Sequence, residues 1–346
     1  MTLGQIAFLG SGETSLAGGR IFESLVQDLP KPLRISVLET PAGFELNSTQ
    51  VASRVAEFLT TRLQNYHPQV NVVAARKKNS PFSPDDPEIC APLLTANIIF
   101  MGPGSPTYTI RQLENTLAWD MIRARHRLGA TLVFASAATI AAGAWALPVY
   151  EIFKVGEDVH ALPGLELFKD FDTPLSFLPH WNNAEGGTDV DTSRCFVGMD
   201  RFEEWCAMLP EDNTTIGLDE HTGIILDFEK RTCRVIGVSS IHLVRKCNPT
   251  VFPAGSDLPL SELGPMLVPD PLNSGIPEDV WEIVKNAAPV SFIEDSAPPE
   301  VIALAEERQN ARSRKEWQAA DEFRRQIISL GWKVQDTPDG YNLEKG

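Results

Sequence analysis

Residues 131–147, TLVFASAATIAAGAWAL, carry no charged side chain. Thr131, Leu132, Val133 and Phe134 are β-branched or bulky and favour a strand, whereas the alanines after Ser136 favour a helix. The uncharged run from Gly129 to Tyr150 is long enough to cross a bilayer. Its second half is only weakly hydrophobic, however, it closes at Pro148, and no basic cluster flanks it as orientation rules require. The stretch therefore reads as a buried strand that turns sharply at Ser136 into a helix, with no membrane involved.

A buried strand needs neighbours, and strand-like runs recur at 5–10, 34–39, 70–75, 97–102 and 131–136. Between them, residues 21–29, 50–66 and 108–129 repeat apolar side chains at three- and four-residue spacing, the pattern of amphipathic helices. Continuous Val/Ile/Leu strands alternating with such helices predict an α/β fold, a mostly parallel sheet with helices on both faces. Residues 223–244 have strand–turn–strand character and predict an antiparallel hairpin that finishes the sheet. This domain spans residues 1–250. Residues 251–298 are rich in Pro and Gly and read as a linker with one short helix, EDVWEIVKNA. Residues 299–346 read as a small helical unit, with helices over 301–315 and 316–330 forming a hairpin. Trp317, Ala320, Phe323 and Ile327 fall on one face of the second helix, and Gly331 suits the position just past its end.

A net charge of -16 opposes binding to a phosphate backbone unless one region is locally basic, and no Lys/Arg-rich run is present. The five cysteines are odd in number and none has CxxC spacing, which argues against a zinc knuckle or a disulfide framework and for reduced thiols in the cytoplasm. The opening MTLGQIAFLGSGE has no basic region and reads as a first strand, not a signal peptide. LGSGETS (9–15) partly matches a dinucleotide-binding loop, with Glu39 where a ribose-binding acid would sit. Ser15 replaces the third glycine, so no cofactor is implied.

In α/β proteins ligands gather at the carboxyl ends of parallel strands, where Ser136 falls. A hydroxyl on a tight turn there is presented to a substrate, and the next N–H, that of Ala137, points at the oxygen of a carbonyl under attack. The plain alternative is a small residue that caps a helix. A nucleophile needs a base, and of six histidines His180, in FLPHWNN, lies at a Pro-rich strand end after Ser136. TIGLDEHTGIIL puts Asp219, Glu220 and His221 in a turn between two strands, where Glu220 could orient His180. Strand alternation lets only one of Asp219 and Glu220 face inward, and Glu220 is the expected one. His160 and His221 remain as other imidazoles for the site.

The order of Ser136, then PH at 179–180, then GLDEHT at 217–222 resembles the cyanophycinase/aspartyl dipeptidase family of serine peptidases, which has the class I glutamine amidotransferase-like fold. FLGSGE (8–13) and FMGPGSPTY (100–108) resemble that family's glycine turns, and residues 148–168 resemble its approach to the catalytic histidine. The resemblance covers residues 3–245 and implies Ser136 as nucleophile, His180 as base and Glu220 as the acid. It implies Ala137 and Gly104 as oxyanion donors and a small, peptide-like substrate, aspartyl-containing, held by a cationic pocket. Arg111 is the arginine nearest the Gly104 loop in sequence. The family's elbow reads Gly-x-Ser-Ala-Gly, whereas here Phe134 and Ala138 stand at the glycine positions, so Phe134 demands a different packing.

EERQNARSRKEWQAADEFRRQIISLGWKVQDTPDG, within the C-terminal unit, resembles the end of cysteinyl-tRNA synthetase, where such a unit closes the anticodon-binding region. No HIGH or KMSKS signature and no zinc-binding cysteine set accompanies it, so aminoacylation is not implied. Arg308, Arg312, Lys315 and Arg325 could form a basic stripe for tRNA. Residues 297–346 nevertheless hold eight Lys/Arg against nine Asp/Glu, and a packing or docking role is favoured over tRNA. The alternative to a serine hydrolase is thus a catalytically inactive binding module whose C-terminal unit engages tRNA or a protein partner. Either is compatible with a homo-oligomer.

Overall fold

The computed structural model describes residues 3–27, 29–269, 275–287, 299–314, 316–337 and 340–345. The chain divides into two compact units, Met1–Ala287 and Ala288–Gly346.

In the first unit the strands are β1 (Ile6–Leu9), β2 (Arg34–Leu38), β3 (Gln69–Val73), β4 (Ile98–Met101) and β5 (Thr131–Ala135). A short ribbon of β6 (Trp145–Ala146) and β7 (Leu162–Pro163) follows, then β8 (Leu175–Leu178), β9 (Thr214–Leu218), β10 (Thr222–Asp227) and β11 (Thr232–Gly237). The last three are β12 (Ser240–Arg245), β13 (Asn248–Pro253) and β14 (Asp257–Pro259). The helices are α1 (Leu16–Val26), α2 (Ser48–Arg62), α3 (Pro87–Cys90), α4 (Pro106–Leu113), α5 (Leu117–Arg127), α6 (Ala137–Ala141), α7 (Met199–Met208) and α8 (Glu278–Asn286).

The larger sheet has the order β14-β11-β10-β1-β5-β4-β2-β3 and the smaller β13-β12-β9-β8. The run from β1 to β3 is parallel, and the hairpin β10–β11 joins it antiparallel, as the alternation of apolar runs predicts. Side chains alternate across the large sheet. Ala7, Leu9, Val133 and Ala135 pack with α1 and α2, while Ile6, Phe8, Leu132 and Phe134 face the other way. On that second side Phe8 of β1 stacks on Phe177 of β8, with ring centroids 3.8 Å apart, so one aromatic layer joins the two sheets.

Three expectations change. The helix expected over 108–129 is two helices. Asn115 turns left-handed (φ 54) and Thr116 starts α5 by accepting from the Trp119 N–H at 3.4 Å. The expected linker 251–298 is no linker over its first part, because β13 and β14 complete the edges of the two sheets and α8 packs against α5. Residues 270–274 and 288–298 lie outside the described residues. The run 131–147 is split between strand and short helix, and among the described residues no helix is long and apolar enough to cross a membrane.

The second unit contains α9 (Pro299–Ser313) and α10 (Trp317–Ser329), as the helical spacing predicts, and then an antiparallel hairpin, β15 (Trp332–Thr337) with β16 (Gly340–Lys345), which the sequence reading missed. Val301, Ala305, Ile327, Trp332 and Val334 form its core. Ala320 and Ile327 are buried but Trp317 is exposed. Gly331, at φ 80, ends α10 in the left-handed conformation. Of the residues that could form a basic stripe, Arg308 is buried and Arg325 pairs with Glu322 at 2.8 Å; Lys315 lies outside the described residues.

His126 of α5 is a core residue whose Nε2–H donates to the Gly4 carbonyl at 2.8 Å. Burial, helped by the Arg127 charge, outweighs that bond and pushes the imidazole from 6.5 down to about 3. Between those values the unfolded chain binds a proton that the folded chain does not, so this contribution to stability is complete above pH 6.5 and declines as pH falls. The unfolding free energy is expected to lose up to about 1.4 kcal/mol per pH unit over that range from this group. His126→Gln should flatten the slope, as read from denaturant titrations at several pH values.

Candidate active site

The end of β1 anchors the site. The Leu9 carbonyl accepts from the Ser136 N–H at 3.4 Å and from the Thr139 hydroxyl at 3.2 Å. The next carbonyl, Gly10, accepts from the His180 N–H at 3.2 Å, and the Gly10 N–H donates to Thr222 at 2.8 Å. A Cβ on Gly10 would lie 2.2 Å from the Asp219 carbonyl oxygen, so only glycine lets the β9–β10 turn come this near. Three segments far apart in sequence are thereby held around one strand end.

Ser136 sits between β5 and α6 at φ 52, ψ −117, a conformation that L-residues rarely adopt and that costs on the order of 1–3 kcal/mol. Its side chain makes no helix-capping bond, which removes the plain N-cap reading. Instead Ser136 Oγ lies 3.0 Å from His180 Nε2, and His180 Nδ1 lies 3.0 Å from Glu220 Oε1. With a proton on Nδ1 donated to Glu220, Nε2 accepts from the serine hydroxyl. The Asn183 side-chain N–H donates to the same Glu220 oxygen at 3.1 Å, and the Asn182 side-chain oxygen accepts from the Glu220 N–H at 2.8 Å. Burial raises the Glu220 carboxyl, but bonds from His180 and Asn183 and the nearby imidazoles outweigh it, leaving Glu220 below the usual range.

Ala137 is buried at the start of α6, and Gly104 lines the same cavity as Ser136 and His180. Among the described residues neither N–H donates to another protein group. Gly104 has φ +149, and a Cβ there would lie 1.8 Å from the Pro41 carbonyl oxygen. Phe134, standing where glycine was expected, turns its ring away from the turn into the aromatic layer, 5.3 Å from Phe8. Ala138 fits, fully buried, with its N–H donating to Gly102 at 3.3 Å.

The neighbouring carboxylate has another role. Asp219 is buried and bonds His242 Nε2 at 3.1 Å and the Ser239 hydroxyl at 2.6 Å. Burial raises its carboxyl, but those bonds outweigh it and hold Asp219 below its ordinary value. His242 stacks on Trp181, and the Arg194 guanidinium lies 4.0 Å from that ring. This stack braces the segment carrying His180. Asn182, Asn183 and Trp181 follow His180 directly in FLPHWNN, the one signal that could have found them; nothing in the local pattern marks His242 or Arg194.

The remaining candidates fall elsewhere. His221 is exposed and packs over Gly12; His160 bonds the Asp158 carbonyl at 2.9 Å. Arg111 stacks beside Tyr108 and does not line the cavity. Glu39 is buried and paired with Arg76, and Ser15 caps α1 by accepting from the Gly18 N–H. Among the described residues no group of three or more His, Cys, Asp and Glu could hold a metal ion. Gly10→Ala is expected to destabilise the protein by on the order of 2 kcal/mol or more, because the three nearest atoms the Cβ would meet, all within 3 Å, are backbone. Thermal unfolding measures this, and an unchanged midpoint would contradict the close approach.

No known family's profile matches the chain. A peptidase from an acI-B1 Actinobacterium is similar in structure, with a TM-score of 0.59 and 20% identity over 75% of this chain and 97% of that one. In sequence the chain is 45% identical to the cysteine–tRNA ligase of Methanosarcina mazei over 51 residues, and 47% identical to that of Opitutus terrae over 47. It spans only 11% and 10% of those ligases. The first unit thus has the class I glutamine amidotransferase-like fold, and a short segment is similar to cysteine–tRNA ligases.

Proposed function

We propose that the protein is a serine hydrolase that cleaves a peptide or isopeptide bond. One observation carries this reading: Ser136, held in a strained turn, has its hydroxyl 3.0 Å from an imidazole that is itself 3.0 Å from a carboxylate. Ser136 Oγ attacks the carbonyl carbon while His180 Nε2 takes its proton. Glu220 keeps the Nδ1–H tautomer and stabilises the imidazolium. The N–H groups of Ala137 and Gly104 receive the oxyanion, at the start of α6 where the helix end adds partial positive charge. The intermediate then collapses, His180 gives its proton to the departing amine, and a water activated by the same imidazole releases the acyl group from Ser136. The structural likeness to a peptidase is in keeping with this chemistry.

A fluorophosphonate is expected to label Ser136 stoichiometrically, as read by peptide mass mapping. Ser136→Ala and His180→Ala should each lower turnover by at least about 10³-fold without changing the thermal midpoint much. A folded protein that never labels would overturn the proposal.

The likeness to cysteine–tRNA ligases favours tRNA as a ligand of the C-terminal unit in a second reading. The unit is nearly neutral while the rest of the chain carries about −15, so any such contact is weak and salt-sensitive. Deleting residues 297–346 is expected to abolish tRNA retention at low salt. Equal retention with and without the segment would remove this reading.

A further inference from the structure

The cavity beside Ser136 holds about 600 Å³, enough for more than a carbonyl and its immediate substituents. Ile140, Val149, Tyr150, Phe153, Val190 and Phe196 form its apolar wall, beside Lys154, Glu185 and Thr192 on the same lining. Phe153 and Val190 are 40% and 58% exposed, so the apolar surface continues to the mouth. Phe153 stands on a single π-helical turn, Glu151–Val155, and packs against Phe196, with ring centroids 5.7 Å apart.

A carboxylate in this cavity would need a cation. Among the described lining residues Lys154 alone is a lysine or arginine. Its ammonium lies 4.3 Å from the Tyr150 ring, and Glu185 on the same lining carries the opposite charge. Arg111 and Arg194 stack on Tyr108 and Trp181 and do not line the space. The Cys195 thiol, pushed up by burial to about 12, stays neutral.

Resting on the hydrolase reading above, we infer that this cavity selects substrates with an aliphatic or aromatic group next to the scissile carbonyl, and not the acidic side chain that the family resemblance implies. Burying an aliphatic chain against these walls strengthens binding roughly three- to fourfold per methylene, until the chain outgrows the space. A carboxylate buried against these walls would lose its hydration, and among the described lining residues only the exposed Lys154, stacked on Tyr150, is a lysine or arginine that could replace it.

The test uses the full chain and p-nitrophenyl acetate, butyrate, hexanoate and hemisuccinate, with methyl to hexyl esters of one acid probing the other side of the carbonyl. Fluorophosphonate labelling of Ser136 is read in the same preparation. The expected result is labelling together with a rise in kcat/KM of at least tenfold from the shortest to the longest chain in one series. The hemisuccinate should react at least tenfold more slowly than the butyrate. Val190→Arg should shift the hemisuccinate-to-butyrate ratio at least tenfold towards the acid. Labelling with flat chain-length profiles in both series, or with a preference for the hemisuccinate, overturns this inference and leaves the hydrolase standing. No labelling and no turnover overturns both.

Discussion

Two adjacent carbonyls at the end of the first strand hold the site together. Leu9 fixes the turn that carries Ser136, and Gly10 fixes the segment that carries His180. Neither bond is strong by itself, about 1 kcal/mol net. Their value is geometric, because consecutive backbone atoms of a buried strand are about as rigid a reference as a protein offers. The missing side chain at Gly10 then lets the Glu220 turn close from a third direction. Serine, imidazole and carboxylate come from three segments and meet because one strand end touches all three.

The strain at Ser136 belongs to the same arrangement. A residue at positive φ with a side chain persists only where its surroundings over-determine it. Here β5 pairs on both sides with β1 and β4, and α6 is buried throughout. A bulky Phe134 two positions before the turn, which looked hostile to it, is absorbed by strand alternation. The side chain two positions before Ser136 points across the sheet into the aromatic layer with Phe8 and Phe177, not into the turn. That layer also ties the two sheets together, and the smaller sheet presents His180 and Glu220 at the ends of β8 and β9. Packing and chemistry therefore share the same few rings.

The paired carboxylates Asp219 and Glu220 show how one turn divides its labour. Adjacent residues at a strand end point to opposite sides. One carboxylate meets His180 at the cavity, the other meets His242 beneath Trp181. Both stay ionised because bonds outweigh burial. The Asp219–His242 pair keeps the histidine segment in register, and the Glu220–His180 pair sets the tautomer at the reacting atoms.

By itself the sequence determined the alternation of buried strands and amphipathic helices, hence the parallel sheet, and the turn at Ser136 from strand formers to alanines. Those are local or periodic signals, and period and propensity are readable one segment at a time. The pairing of Asp219 with His242, the bracing of Trp181, the split of the 108–129 helix at Asn115 and the strands within the proline-rich 248–259 were decided by tertiary structure. In each case the deciding partner is remote in sequence or the cue is a single residue. The apolar lining of the cavity belongs to the same class: its walls come from α6, the π-helical turn and the loop around 185–196, and no one of these segments signals a pocket alone. Distance along the chain hides what a shared strand end brings into contact.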